Sequence, residues 1–364
     1  MFNNFYRGKK VFITGHTGFK GSWLSLWLVI LGAKVKGYAL PPKSSKDNFV
    51  VANLRNKIIS VYGDVRNYKK LLKEIKIFKP DIVFHLAAQP LVIESYQHPQ
   101  LTYETNVMGT VNLLEAVRKV SSVQAVVNIT TDKCYENIEK LTGYIETDPL
   151  GGYDPYSSSK GCSELVTAAY RRSFFTKKIV IMTARSGNVI GGGDWDKDRI
   201  IPDSMIALIN KKIIPVRNPD AVRPWQHVFE PLSGYLLLAA KAVAVKNGRK
   251  YAGAWNFGPK VSSTALKVKD VVNMVIKIWG KGTWQHISKS KTCHEANILT
   301  LNCHKAKKQL DWQPVLDFKT SIVWTIEWYK YLYKIKPKSM YEYSLKQILT
   351  YCELAKSKKL SWSK

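Results

Sequence analysis

The chain has 364 residues, 45% of them hydrophobic, which suits a large α/β enzyme with a smaller second lobe. No apolar run is long enough to span a bilayer, and Met1 to Lys10 leads straight into a strand without a signal-peptide core, so a cytoplasmic protein with no membrane partner is expected. The formal charge of +29 invites a nucleic-acid reading, but lysines such as Lys69, Lys70, Lys177, Lys178, Lys211 and Lys212 are scattered and no recognition motif accompanies them; no nucleic-acid partner is expected.

The pattern along the chain alternates. Lys10 to Thr14 reads as an apolar strand, followed by a turn with glycines at 15, 18 and 21. Trp23 to Leu31 reads as a buried helix ended by Gly32, and Lys34 to Tyr38 as a second strand. Ile58 to Tyr62 is a third strand ending at Gly63 and Asp64, and Tyr68 to Phe78 an amphipathic helix. Asp81 to His85, Ala125 to Ile129 and Ile179 to Thr183 complete the strands, with helices over Tyr103 to Val120 and Tyr156 to Phe174 between them. Strands alternating with helices give a parallel sheet covered on both faces. The expected class is α/β: a Rossmann-type doubly wound parallel sheet with a smaller interleaved C-terminal substrate lobe.

Residues 1–186 form the expected dinucleotide-binding domain, with return segments at about 228–258. The texture changes after Gly187, where Gly191-Gly192-Gly193-Asp194-Trp195 is a loop and proline becomes frequent; 187–227 and 259–352 are assigned to the second lobe. The Lys-rich end, 353–364, is expected to fray. Five cysteines without Cys-x-x-Cys spacing predict neither disulfides nor zinc. Cys293-His294 and Cys303-His304 are adjacent pairs, whose side chains diverge on a strand, so no metal is expected.

Tyr156 and Lys160 lie four apart at the start of a helix and share a face. A lysine ammonium beside a phenol favours the phenolate, lowering a pKa of ~10 by ~1–3 units and making a general base. Tyr-x-x-x-Lys alone is weak. Downstream of a strand, a Gly-x-x-Gly-x-x-Gly turn and a helix, it points to redox chemistry on a nicotinamide cofactor. Gly15 permits the tight turn, Gly18 lets a pyrophosphate approach the backbone, and Gly21 allows close helix–strand packing. Asp64, Ala87-Ala88-Gln89 and Thr131-Asp132-Lys133 all follow strands, so they should meet the glycine turn at one sheet edge.

These residues resemble the extended short-chain dehydrogenase/reductases, and within them the CDP-glucose 4,6-dehydratases. The resemblance runs from Gly15-His16-Thr17-Gly18-Phe19-Lys20-Gly21-Ser22-Trp23 to His294-Glu295-Ala296. It includes Thr131-Asp132-Lys133-Cys134-Tyr135, Gly187 to Trp195, and Arg223-Pro224-Trp225-Gln226-His227-Val228. It implies NAD held by Gly15, Thr17, Gly18, Phe19, Lys20, Gly21, Asp64, Val65, Ala87, Ala88, Gln89 and Asn106 together with Tyr156 and Lys160. The second strand ends in Ala39 and Leu40, where an acid for the ribose hydroxyls is expected. Lys43, Ser44 and Ser45 leave a 2′-phosphate open, but the resemblance favours NAD.

The catalytic set it implies is Thr131, Asp132, Lys133, Tyr156 and Lys160. Tyr156 takes the proton from the sugar's O4, Asp132 protonates the leaving C6 hydroxyl, and Lys133 is the C5 base or else orients Asp132. The dTDP-glucose enzymes have Glu where Lys133 stands. Asn188, Arg199, Arg217, Arg223, His227 and Glu295 are the substrate-contact candidates, arginine because its fork donates two parallel bonds to phosphate. A homodimer built from the Tyr103–Val120 and Tyr156–Phe174 helices is also implied. Two alternatives stay open: a dehydratase for another nucleotide-linked hexose or heptose, since Ile93-Glu94 replaces the family's usual Arg, and an epimerase or reductase on the same fold.

Overall fold

Strand β1 (Lys10–Thr14) buries Val11, Phe12 and Ile13 completely, as a strand covered on both faces must. The computed structural model describes residues 1–175, 178–259, 266–287 and 298–364. The remaining strands are β2 (Lys34–Ala39), β3 (Ile59–Tyr62), β4 (Ile82–His85), β5 (Ala125–Ile129), β6 (Val180–Ser186), β7 (Val189–Ile190), β8 (Ile214–Val216), β9 (Gln226–His227), β10 (Gly253–Phe257) and β11 (Trp284–His286). Among the described residues, seven of these pair in parallel in the order β10-β6-β5-β4-β1-β2-β3. The chain turns from one half of the sheet to the other between β1 and β4. A crevice therefore opens beyond the carboxyl ends of those two strands. The expected doubly wound sheet is the one formed.

The helices, in chain order, are α1 (Phe19–Ile30), α2 (Asn48–Val51), α3 (Tyr68–Phe78), α4 (Val92–Gln97), α5 (Pro99–Tyr103), α6 (Gly109–Arg118), α7 (Pro155–Ser173), α8 (Ile200–Ile209), α9 (Phe229–Ala244), α10 (Val268–Trp279), α11 (Phe318–Lys330) and α12 (Tyr341–Ser357). The Asp154 carboxylate caps α7, accepting from the Ser157 amide at 2.9 Å, with Pro155 at its first position. That start fixes where Tyr156 and Lys160 face.

Three elements differ from the sequence expectation. The helix expected over Tyr103–Val120 starts at Pro99 and passes through a π-helical turn, Glu104–Met108, before α6. The turn carries Asn106, whose side chain accepts from the Gln89 amide and donates to the Gln89 carbonyl and Ser159 Oγ. Strand β6 runs to Ser186 because Arg185, which breaks the apolar pattern, is buried and paired with Glu164.

The C-terminal segment is not frayed. Helix α12 continues to Ser357, and Leu360 and Trp362 are buried. Trp362 stacks on Phe2, and the Asn3 amide donates to the Lys364 carbonyl at 2.9 Å. One hydrophobic cluster runs from β1 and α1 through α9 to α11, α12 and Trp362. Buried Glu230 of α9 ties that end down, accepting from the Val315 and Leu316 amides and the Tyr351 hydroxyl.

Candidate active site

The turn after β1 is shaped by what its glycines exclude. Gly15 has φ +78°, and a Cβ there would lie 2.7 Å from the Ala87 amide nitrogen at the end of β4. A Cβ on Gly21 would lie 2.0 Å from the Gly15 carbonyl oxygen. Gly18 differs: it is exposed, caps α1 without a side-chain bond, and a Cβ would meet only the Gly15 oxygen at 3.5 Å. Two glycines lock the turn, and the third leaves backbone open at a helix N-terminus. That arrangement fits a dinucleotide pyrophosphate.

Around it, Thr17 Oγ1 donates to the Leu40 carbonyl at 2.9 Å, fastening the turn to the end of β2. Lys43 is paired with Asp196 at 2.8 Å. Asp64 is held by Arg66 at 2.7 Å, and Arg66 also reaches Glu104. Val65 is buried, and a Cβ on Gly109 would crowd it at 2.8 Å. Gln89 donates to Thr102 and the Leu91 carbonyl. With Asn106 it holds the loop after β4 in place. Ala87 packs among hydrophobic neighbours under that loop.

A cavity of about 620 Å³ opens beside the turn. Its wall includes Phe19, Lys20, Thr131, Asp132, Lys133, Tyr156, Asn188, Arg199, Arg217 and Arg223. The structure thus brings together residues assigned from well-separated stretches of sequence. Arg199 is paired with Asp194 at 2.9 Å and Arg217 with Asp198 at 2.7 Å. Arg223 donates to its neighbouring Val222 carbonyl.

Asp132 lines the cavity next to Thr131. It is 2% exposed, Oδ1 accepts from Thr131 Oγ1 at 3.0 Å, and Oδ2 has no hydrogen-bond partner among the described residues. Burial raises its pKa above the ordinary carboxylate value, and nearby Lys133 and the Thr131 bond offset only part of that. The shift is toward the acid form of the carboxyl. Tyr156 is also buried, which pushes its phenol up to about 12, against the pull of the Thr131 hydroxyl and Arg199. The expected depression by Lys160 is not what the geometry gives. The Lys160 ammonium donates to the Ile129 carbonyl at 3.3 Å, and burial lowers its own pKa to about 8.

His227 does not reach the cavity. Its ring is fully buried against Phe229 and Trp324, Nδ1 accepts from the Phe229 amide at 3.4 Å, and burial lowers its pKa to about 3. Its role is packing, which corrects the substrate-contact assignment. Glu295, with Cys293 and His294, lies outside the described residues. Ile93 lines the cavity, whereas Glu94 pairs outward with His98.

Two networks escaped sequence reasoning. Lys20 Nζ donates to Ser186 Oγ at 2.9 Å, Ser186 also accepts from Tyr235 at 2.9 Å, and burial lowers the Lys20 pKa to about 7. Two turns further along the Tyr156 helix, Glu164 takes Arg185 in two bonds of 2.9 Å and also accepts from Thr130 and Thr183. Their members are far apart in sequence, and no spacing marks them.

The family model for GDP-mannose 4,6-dehydratase matches residues 12–324. The chain is 49% identical to a CDP-glucose 4,6-dehydratase of Salmonella typhimurium, over 90% of this chain and 92% of that one. It is 26% identical to a CDP-paratose 2-epimerase of Salmonella typhi, over 88% of this chain and 98% of that one. Among solved structures, an epimerase of Methanothermobacter thermautotrophicus superposes with a TM-score of 0.79 at 23% identity, covering 92% of this chain and 96% of the other. A dTDP-glucose 4,6-dehydratase of Streptomyces venezuelae, solved with NAD bound, gives a TM-score of 0.75 at 23% identity, covering 88% and 97%. At that identity the structural likeness speaks to the fold.

Proposed function

The chain belongs to the GDP-mannose 4,6-dehydratase family, and on that premise we propose that it is an NAD-dependent hydro-lyase converting CDP-glucose to CDP-4-keto-6-deoxyglucose. The observation that carries this reading is Asp132: a buried carboxyl with one unpartnered oxygen, on the same cavity wall as Tyr156. An epimerase needs only proton and hydride exchange at C4. A dehydratase also needs an acid for the C6 hydroxyl, and Asp132 supplies one.

In this mechanism the Tyr156 phenolate accepts the O4 proton, and Thr131 donates to the developing C4 carbonyl. Bound NAD supplies the hydride acceptor for C4, the later donor to C6, and a positive charge that favours the phenolate. Lys133, on the cavity wall, takes the C5 proton once the ketone has acidified it. Asp132 gives its proton to the C6 oxygen, which leaves as water. Lys160, held under the site by the Ile129 carbonyl and offset by buried Glu164, adds positive charge beneath the reacting end. Arg199, Arg217 and Arg223 are the cations for the diphosphate, and the basic surface steers the anionic substrate inward.

A homodimer through the Tyr103–Val120 and Tyr156–Phe174 stretches is supported by the exposure of Met108 at 51%, Leu165 at 58% and Phe174 at 49% within them. A cytoplasmic location goes with the activity proposed. Among the described residues, no helix is long and apolar enough to cross a membrane. The test is turnover of a nucleotide-sugar panel that includes CDP-glucose, with detection of the 4-keto product. Formation of a 4-keto-6-deoxy sugar from CDP-glucose supports the reading, and a C4 epimer alone contradicts it.

A further inference from the structure

The residues just before and just after the segment Thr131 to Cys134 are tied to one side chain of α7. Glu164 accepts from Thr130 Oγ1 at 2.5 Å, and from Arg185 Nε and Nη2 at 2.9 Å each. Arg185 in turn donates from Nη1 to the Tyr135 hydroxyl at 2.7 Å, and its guanidinium carbon lies 4.7 Å from the centre of the Tyr135 ring. All four side chains are 4% exposed or less, so water does not compete for these bonds. The sheet holds the network from behind: Thr183 of β6 donates to Glu164 at 2.7 Å, and Tyr135 donates to Asn256 of β10 at 2.8 Å.

We infer that Glu164 and Arg185 are positioning residues: they clamp both ends of the segment that carries Thr131, Asp132 and Lys133 onto the helix that carries Tyr156 and Lys160. The inference rests on the dehydratase reading and deepens it. In that reading Tyr156 works at O4 while Asp132 and Lys133 work at C6 and C5 of the same sugar ring. The two groups come from separate parts of the chain and must keep a fixed separation, because a misplacement of about 1 Å can cost ~10²-fold in rate.

The packing between the two ends agrees. Glu164 follows Lys160 by one turn on the same face of α7. Between them, a Cβ on Gly161 would lie 2.6 Å from the Gly151 carbonyl oxygen and 3.5 Å from that of Cys134, so glycine lets the segment press against the helix. The Gly151 amide also donates to the Cys134 carbonyl at 2.9 Å. Stability alone is a poor reason for the ion pair, since the cost of desolvating two buried charges offsets much of their attraction.

Glu164→Gln leaves the Arg185 charge buried without its partner and threatens the fold, so the test loosens each end of the segment separately. Thr130→Val removes the hydroxyl at one end, Tyr135→Phe removes the one at the other, and Thr130→Ser keeps the first bond. Each is assayed with CDP-glucose and saturating NAD, well below its own melting midpoint. Thr130→Val and Tyr135→Phe should each lower kcat for the 4-keto-6-deoxy product by ~10-fold, part of the loss that a full ångström brings. KM should stay at the wild-type value, because Arg199, Arg217 and Arg223 bond elsewhere. Thr130→Ser should return kcat close to wild type. A network that only stabilises the fold would lower the melting midpoint and leave kcat intact. Wild-type kcat in either loosened variant therefore overturns the inference, as does a Thr130→Ser no faster than Thr130→Val. Wild type that turns CDP-glucose only into a C4 epimer removes the dehydratase reading itself, and this inference with it.

Discussion

The Thr131 hydroxyl donates to Oδ1 of Asp132 at 3.0 Å, while Oδ2 of the same carboxyl has no partner among the described residues. Thr131 also opposes the burial-driven rise of the Tyr156 pKa. One threonine thus stands between the group that takes a proton from the sugar and the group that gives one back. Burial raises the Asp132 pKa, which favours its role as the acid.

Asp132→Asn keeps the shape of that contact but removes the transferable proton. Oxidation at C4 should persist while elimination slows, so reduced nicotinamide accumulates on the enzyme without matching product. Rapid mixing with CDP-glucose reads both quantities. Product formed at the wild-type rate removes Asp132 as the acid.

Tyr156→Phe should cut hydride transfer by ~10²–10⁴-fold while cofactor affinity stays nearly unchanged. Single-turnover absorbance and equilibrium cofactor titration separate the two. Near-normal turnover takes the base role away from Tyr156.

Lys160→Met should abolish most activity yet stabilise the protein at neutral pH. Burial lowers the folded pKa of Lys160 from 10.5 to about 8. Between about 8 and 10.5 the unfolded chain binds more protons, so wild-type stability rises with pH through that window. Below it the penalty is fully present, on the order of 3 kcal/mol at most. The stability advantage of Lys160→Met should therefore be largest near pH 7 and shrink toward pH 10 in urea melts. An advantage that grows with pH contradicts the assignment.

Light scattering at micromolar protein should give twice the 41.4 kDa chain mass. Leu165→Arg, on the exposed side of α7, should halve it. A wild-type monomer removes the proposed interface.

The legible parts of the sequence were the local ones. The glycine turn, Thr131 and Asp132 at a strand end, and Tyr156 just inside a capped helix each follow from a few neighbouring residues. The electrostatics were not legible, because burial outweighs the neighbour that spacing suggested: Tyr156 is pushed up to about 12 although Lys160 shares its helix face. Long-range pairs were hidden for a simpler reason. Lys20 and Ser186 meet only once the sheet is formed, as do Glu164 and Arg185. The C-terminal lysines masked Leu360 and Trp362, which bury against the N-terminus. His227 has the residue type of a ligand contact, but its place among Phe229 and Trp324 is set by tertiary packing.

The most direct test follows a deuterium placed at C4 of CDP-glucose through wild-type turnover. Hydride removed from C4 and returned to C6 within one site predicts a 4-keto-6-deoxy product carrying the label at C6. A product labelled at C4, as a 4-epimerase would give, or one that has lost the label to solvent would contradict the account.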